Sequence, residues 1–237
     1  MSHDHPDWTF PTLADPGSAA PVLAARGLGH PLLPGAVGND VAVGPPGTFL
    51  LVTGSNMSGK STLLRAIGAN VVLAQAGGPV AAQEMSLPPL ALATSILVED
   101  SLADGVSFYM AELLSVRKVV RAAGRAHGEG RTLLYLLDEI LRGTNSAERR
   151  VAVRRVLQHL LAAGAIGAVS THDLELAGIP EIRDACHPVH FRESFESTES
   201  GPRMTFDYRL REGVATTANA LKLLDLVGLG SEAGEGG

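Results

Sequence analysis

Aromatic residues and cysteine are both scarce in this chain. Only 4% of its 237 residues are Phe, Trp or Tyr, and Cys186 is its single cysteine. One cysteine excludes an internal disulfide, and no cluster of Cys and His surrounds it that would indicate a structural zinc site. Because aromatic residues are so few, we expect a core built mainly from Leu, Val, Ala and Ile.

Long apolar runs and an excess of positive charge are also missing. The apolar stretch at residues 87–98 is interrupted by two prolines, and no run is long enough to span a bilayer. The first residues lack the basic and apolar segments of a secretory signal, so we expect a cytoplasmic protein without a membrane partner. The net charge is −6, which disfavours an isolated nucleic-acid binder because phosphate contacts require Lys and Arg. Four basic residues do cluster at helical spacing, which indicates a solvated helix face more than a DNA-binding stripe: Arg117, Lys118, Arg121 and Arg125.

What the chain does contain is a complete phosphate-binding loop. Residues 54–62 fit G-x-x-x-x-G-K-[ST], follow a strand-like segment at 48–53 and open a helix-compatible stretch at 62–76. Backbone N–H groups of such a loop, backed by a helix N-terminus, surround anionic phosphates. Lys60 is expected to bind the β- and γ-phosphates, and the Ser61 hydroxyl to ligate Mg²⁺. The predicted nucleoside-triphosphate-binding residues are Gly54, Ser55, Asn56, Met57, Ser58, Gly59, Lys60, Ser61 and Thr62.

Strand-like and helix-like segments alternate along the rest of the chain. Strands are predicted at residues 22–26, 41–43, 48–53, 90–98, 132–138 and 165–171, and helices at 62–76, 112–126, 147–163 and 218–227. Polar and aromatic residues alternate at 189–210, which indicates an antiparallel pair. The pattern predicts an α/β domain with a mostly parallel central sheet flanked by helices and an antiparallel β portion.

Two acids end the buried strand predicted at 132–138. Asp138 in this position is expected to hold the magnesium, and Glu139 to polarise the attacking water. Successive strand side chains point in opposite directions, so the pair requires the strand to end here. His172 follows the next predicted buried strand and is expected to act on the γ-phosphate or the water, although a helix-capping turn at 171–173 is the competing interpretation.

The ordered motifs resemble the ATPase domain of the MutS family, a branch of the ABC-type ATPases. The segments that carry the resemblance are Gly29-His-Pro31 with Asn39-Asp40, residues 53–62, Ser107-Phe-Tyr-Met-Ala-Glu-Leu113, Leu137-Asp-Glu-Ile-Leu-Arg-Gly-Thr-Asn-Ser146 and Ser170-Thr-His172. Pairing S-N-M-S-G-K-S-T with D-E-I-x-R-G-T-N-S is much more specific than the phosphate loop alone. On this basis we divide the chain into an extended lead-in at 1–21, an ATPase domain of ABC/MutS type at 22–229 and a flexible tail at 230–237.

The resemblance implies an ATP-hydrolysing domain that uses Mg²⁺ and ATP to drive conformational change in a DNA mismatch repair or other DNA-binding protein. It implies that Ser107 reaches the γ-phosphate of an opposite subunit, and that residues 143–146 communicate across that interface. Two copies would then form a homodimer around two ATP molecules. DNA would be contacted only through regions absent from this chain, which leaves three alternatives: an excised domain, a gene fragment, or a partner of proteins that carry the other parts.

Several positions depart from typical mismatch-repair members. Ser55 and Ser58 stand where those carry Pro and Gly, and Leu141 and Asn145 stand where they usually carry Gly and Ser. The segment at 214–219 lacks the usual Ser-Tyr-Gly, so the chain is more similar to a divergent MutS-like branch.

Two other functions compete with the ATPase hypothesis. A sensor or interaction module that binds nucleotide without hydrolysis, outside mismatch repair, is the main alternative, and the presence of both Asp138 and Glu139 argues against it. The nucleotide-binding subunit of a membrane transporter is the other, and the chain lacks the L-S-G-G-Q signature of that class.

Overall fold

A six-stranded sheet forms the centre of the molecule, whose computed structural model describes residues 7–15, 22–96, 108–198 and 201–215. The strands are β4 (Phe49–Thr53), β6 (Ala91–Ser95), β7 (Leu133–Asp138), β8 (Ile166–Ser170), β9 (Cys186–His190) and β12 (Arg211–Glu212). Their spatial order is β12-β9-β4-β8-β7-β6, with every neighbouring pair parallel except β12 and β9. The strand preceding the phosphate loop therefore lies near the middle of the sheet, beside β8 and one strand away from β7.

A second, four-stranded sheet packs on one side. It consists of β1 (Thr12–Leu13), β2 (Leu23–Leu28), β3 (Asn39–Val43) and β5 (Glu84–Leu87), in the order β1-β5-β2-β3. Strands β10 (Glu193–Thr198) and β11 (Gly201–Phe206) form a separate antiparallel hairpin.

Helices cover both faces of the central sheet. The helices are α1 (Lys60–Gln75), α2 (Phe108–Gly128), α3 (Ser146–Ala162) and the short α4 (Pro180–Arg183), and a 3-10 helix runs over Leu174–Gly178. Buried side chains of β4 alternate between two clusters: Leu50 and Val52 pack towards α1 and the second sheet, and Phe49 and Leu51 towards α2 and α3. This two-sided burial explains why β4, β7 and β8 are nearly continuous apolar runs.

The predicted α/β architecture, with its parallel core and antiparallel portion, is what the structure shows. Predicted helices at 62–76, 112–126 and 147–163 are confirmed with small shifts of their ends, and so is the antiparallel pair within 189–210. The strand predicted at 90–98 is present as β6 at Ala91–Ser95. Most of its side chains are only half-buried, and among the described residues β6 has a neighbouring strand on one side only. The helix predicted at 218–227 lies outside the described residues.

Two expectations about the periphery can also be compared with the structure. Part of the lead-in is extended and attached to the second sheet, since Thr9 bridges to Val80 and β1 pairs with β5. The basic side chains of α2 are exposed, as expected of a solvated face, and form no ion pair within the described part of the chain. Among the described residues, no helix has the length and apolar character needed to cross a membrane.

Candidate functional site

The phosphate loop connects the buried strand β4 to the first residue of α1. Two glycines shape it, because Gly54 and Gly59 have φ values of 143° and 110°, a region that side-chain-bearing residues rarely adopt. The first turn of α1 contains no acidic residue, and no side chain caps its N-terminus. Its N–H groups and the positive end of the helix dipole are therefore available to an anion.

Lys60 is buried at the base of this loop, with 4% of its side chain exposed. Its Nζ donates to the carbonyl oxygens of Gly54 at 3.0 Å and Ser55 at 2.8 Å. Burial lowers the pKa of Lys60, and the nearby Glu139 carboxylate opposes that shift. A buried ammonium group held by carbonyl oxygens places a fixed positive charge beside the loop.

The two acids after β7 take different environments. Asp138 is the last residue of β7, and its Oδ1 accepts a hydrogen bond of 2.5 Å from Ser170 Oγ at the end of β8. Glu139 has a φ of 45°, so the backbone leaves the strand path at this residue. Its N–H donates to both Ser170 O, at 3.2 Å, and Ser170 Oγ, at 3.0 Å. The expected end of the strand is thus present, and Ser170 ties both acids to β8.

Glu139 is the centre of the charged cluster. Its Oε1 lies 2.5 Å from His172 Nε2 and 3.6 Å from Lys60 Nζ, and its Oε2 lies 3.1 Å from a guanidinium nitrogen of Arg142. Only 15% of the Glu139 side chain is exposed, whereas His172 is 42% exposed. Residues from the phosphate loop, the end of β7 and the end of β8 therefore meet around one carboxylate.

A cavity of about 460 Å³ extends from this cluster along the phosphate loop. Its lining combines residues of the phosphate loop and Glu139 with apolar and aromatic side chains, among them Leu33, Val37, Phe191 and Tyr208. A Cβ atom at Gly59 would lie 3.4 Å from Cδ1 of Tyr208, so the tyrosine ring lies directly beside the loop. The lining therefore offers positive charge at Lys60 together with aromatic and apolar surface.

Asn39 holds the backbone around Tyr208. Its Nδ2 donates to Tyr208 O at 3.0 Å, and its Oδ1 accepts from the N–H of Leu210 at 2.7 Å. Tyr208 has a φ of 54°, an uncommon value for a bulky residue. The two bonds to Asn39 fix this conformation and with it the place of the ring at the cavity.

The remaining loop residues have distinct environments. Ser55 donates to Glu193 Oε2 at 3.1 Å, a contact that a proline at this position lacks. Met57 has a φ of 66° and is 82% exposed. Ser58 is buried, and its Oγ has no hydrogen-bond partner among the described residues, which leaves a polar atom available inside the loop. Ser107 lies outside the described residues.

Mg²⁺ is expected to be held by the hydroxyl of Ser61 and the carboxylate of Asp138. Both groups offer hard oxygen ligands. Ser170 donates to Oδ1 of Asp138, whereas Oδ2 of Asp138 accepts no hydrogen bond from the described residues. Within the described part of the chain, no group of three or more His, Cys, Asp or Glu forms a complete metal cage. This donor set fits magnesium, which is usually bound through one or two protein ligands together with substrate phosphates and water.

Sequence reasoning missed several residues that shape this site. Arg142 lies inside a quoted motif, but nothing in the sequence indicated that its side chain binds Glu139. Asn39 also belongs to one of the motifs, but no role was predicted for it, because its contact with Tyr208 joins residues 169 positions apart. Tyr208 itself carried no signal beyond the alternation of a predicted strand.

Comparison with known proteins agrees with this geometry. Residues 50–234 match the family described as MutS domain V. The chain is 31% identical over 231 residues to DNA mismatch repair protein MutS 2 of Halobacterium salinarum, covering 94% of this chain and 25% of that protein. It is 31% identical over 225 residues to DNA mismatch repair protein MSH6 of Arabidopsis thaliana, covering 88% of this chain and 16% of that protein. A third relative, DNA mismatch repair protein MutS of Shouchella clausii, is 30% identical over 231 residues, covering 94% and 25% respectively. The chain thus spans a quarter or less of the length of these relatives.

Proposed function

The chain belongs to the MutS family and corresponds to its ATPase domain, and from this premise we propose that it binds Mg²⁺–ATP and hydrolyses it. The observation that carries the proposal is the meeting of Lys60, Glu139 and His172 at one cavity, although they come from three separate segments of the chain. We assign the fold to the P-loop NTPases of ABC/MutS type, with the domain extending over residues 22–229.

The phosphate loop supplies the electrostatic part of the reaction. Its N–H groups and the N-terminus of α1 receive the triphosphate, and Lys60 places its charge on the β- and γ-phosphates. Because Lys60 is already buried and held by two carbonyl oxygens, little side-chain reorganisation is needed when phosphate oxygens replace those partners. Ser58 Oγ, buried and without a partner among the described residues, provides a further donor inside the loop.

Glu139 is the residue that orients and deprotonates the attacking water. Its carboxylate has one oxygen in contact with His172 and the other in contact with Arg142, so its orientation is fixed on both sides. His172, which is more exposed, is placed to donate to the γ-phosphate or to the water. Bound Mg²⁺, held by Ser61 and Asp138, would neutralise charge that develops on the transferred phosphoryl group.

The aromatic and apolar side chains that line the cavity are the proposed binding site of the nucleobase. Tyr208 lies beside Gly59 and 6.0 Å from Phe206, measured between ring centroids, and Val37 also lines the cavity. A ring stacked there would leave the triphosphate to run along the loop towards Glu139.

Dimer coupling and a DNA-repair role complete the proposal. The relatives are named as DNA mismatch repair proteins, and we propose that this domain drives a conformational change in such a protein. Two copies would enclose ATP between them, with Ser107 contributed by the opposite subunit, in a cytoplasmic protein whose DNA contacts lie in other regions.

The test is a comparison of the wild-type chain with Lys60→Ala. We expect wild type to bind ATP by calorimetry and to release phosphate in a magnesium-dependent single-turnover assay, and Lys60→Ala to lose at least 100-fold in affinity. Lys118→Ala removes an exposed lysine of α2 and serves as the matched control, with binding unchanged. Bound ATP that is never cleaved would support the sensor function instead, and equal ATP affinity in wild type and Lys60→Ala would refute the site.

A further inference from the structure

Glu112 is a buried carboxylate that the proposed chemistry does not use. It lies in the second turn of α2 and is only 3% exposed. Buried carboxylates are rare unless they are paired, and Glu112 forms no ion pair within the described residues. Its hydrogen bonds must therefore account for its place in the fold.

Both oxygens of Glu112 bind the loop that follows the catalytic acid. Oε1 accepts from the N–H of Arg142 at 3.1 Å, and Oε2 accepts from the N–H of Gly143 at 2.9 Å. A carboxylate that receives two backbone N–H groups, one on each oxygen, restrains both the position and the tilt of that backbone segment. A glutamine in its place has a single acceptor oxygen and turns an NH₂ group towards one of the donors.

The same helix also contacts this loop sterically. A Cβ atom at Gly143 would lie 2.8 Å from Cβ and 3.0 Å from Cα of Tyr109, so the loop backbone rests directly on the helix. Tyr109 and Glu112 are three residues apart and share one face of α2. One helix face therefore both supports the loop and binds its N–H groups.

The loop held in this way is strained. Glu139 and Leu141 are not glycines, yet they have φ values of 45° and 60°, a region that costs free energy for such residues. The restraint at residues 142 and 143 directly follows the strained segment. The N–H of Arg142 is bound by Glu112, and its guanidinium donates a hydrogen bond to the Glu139 carboxylate.

We propose that Glu112 is a positioning residue: it holds the loop at 139–143 against α2 and thereby sets the orientation of the Glu139 carboxylate. This role rests on the proposed ATPase function and deepens it. The first residue of α2 directly follows Ser107 in the sequence. Helix α2 would then connect the segment proposed to meet the opposite subunit with the residue proposed to activate water.

The test combines Glu112→Gln with Glu129→Gln, the same change at an exposed position of the turn that follows α2. In Glu112→Gln we expect kcat per folded molecule to fall at least tenfold while the Kd for ATP stays within threefold of wild type. Glu129→Gln should match wild type in both quantities. A role in stability alone would lower the folded fraction without changing kcat per folded molecule, and that result would overturn the proposal.

Amide hydrogen exchange followed by NMR tests the contact independently of catalysis. In the wild-type chain the amides of Arg142 and Gly143 should exchange at least tenfold more slowly than in an unstructured peptide, although both residues are exposed. In Glu112→Gln this protection should be lost at one or both positions, with the amides of β7 unchanged. Unprotected amides at both positions in wild type would overturn the proposal, even if the variant does not fold. A wild-type chain that fails to hydrolyse ATP but shows the protection would refute the proposed function and leave the Glu112 contact standing.

Discussion

Replacing Glu139 with glutamine should separate the proposed nucleotide binding from the proposed hydrolysis. The substitution keeps the size of the side chain and one acceptor oxygen, but removes the negative charge that lies 3.6 Å from Lys60 and 2.5 Å from His172. A glutamine cannot take a proton from water at neutral pH. Nucleotide binding does not require a base. Removal of a carboxylate beside the phosphate site also removes electrostatic repulsion of the triphosphate.

The expected magnitude follows from what a general base contributes. Loss of such a base typically costs a factor of about 10² to 10⁴, which is about 2.7 to 5.4 kcal/mol at roughly 1.36 kcal/mol per factor of ten. We therefore expect Glu139→Gln to bind ATP with unchanged or tighter Kd and to release phosphate at least 100-fold more slowly in single turnover. Glu129→Gln provides a control of identical chemistry at an exposed site. Phosphate release by Glu139→Gln within about threefold of wild type would refute the assignment of the base.

Three further predictions concern the core. Gly167→Ala should lower the free energy of unfolding by about 3 kcal/mol, the upper end for overpacking, since its Cβ would lie 2.4 Å from both the ring and the carbonyl oxygen of Tyr135. Gly124→Ala, whose Cβ meets nothing within 4 Å, is the matched control in urea denaturation and should not destabilise the protein. A loss of less than about 1 kcal/mol in the free energy of unfolding of Gly167→Ala would contradict the packing of β7 on β8. Burial raises the pKa of the Cys186 thiol from 9.0 to about 11, so a thiol reagent at pH 8 should label native protein at least 100-fold more slowly than urea-unfolded protein, and equal rates would show that the thiol is not buried. Because the unfolded thiol ionises first, this group should make stability fall as pH rises from about 9 to about 11.

The residues proposed to bind phosphate stand out in the sequence because their chemistry is contiguous. A phosphate loop needs glycines, a lysine and a hydroxyl at fixed spacing between a strand and a helix, and all of these lie within nine positions. The acids after β7 were likewise marked by the apolar run before them. Helix periodicity also predicted α1, α2 and α3 with small errors at their ends.

Strands that depend on their neighbours were predicted less well. Strand β9 has the sequence Cys186-His-Pro-Val-His190, which has little strand character of its own, and it forms because β4 pairs with it along its whole length. Strand β5 lies where no strand was predicted, and it is fixed by pairing with β1 and β2. For β6 the apolar pattern indicated a strand correctly, but such a pattern does not distinguish an edge from the middle of a sheet.

The departure at Leu141 shows how local strain and long-range packing are balanced near Glu139, the proposed base. Typical family members carry glycine here, which suits a φ of 60°, whereas a leucine in this conformation costs roughly 1–2 kcal/mol. Leu141 is completely buried in the cluster between the central sheet and helices α2 and α3, and burying a leucine side chain contributes about 1.5–3 kcal/mol. The two effects nearly cancel, so the turn keeps its shape while its side chain is anchored to the helix layer that also carries Glu112. A loop with glycine at this position would have to be held by its hydrogen bonds alone. Here the same helix layer holds the loop at two points, through the buried Leu141 and through the Glu112 carboxylate. The orientation of Glu139 should therefore depend on α2.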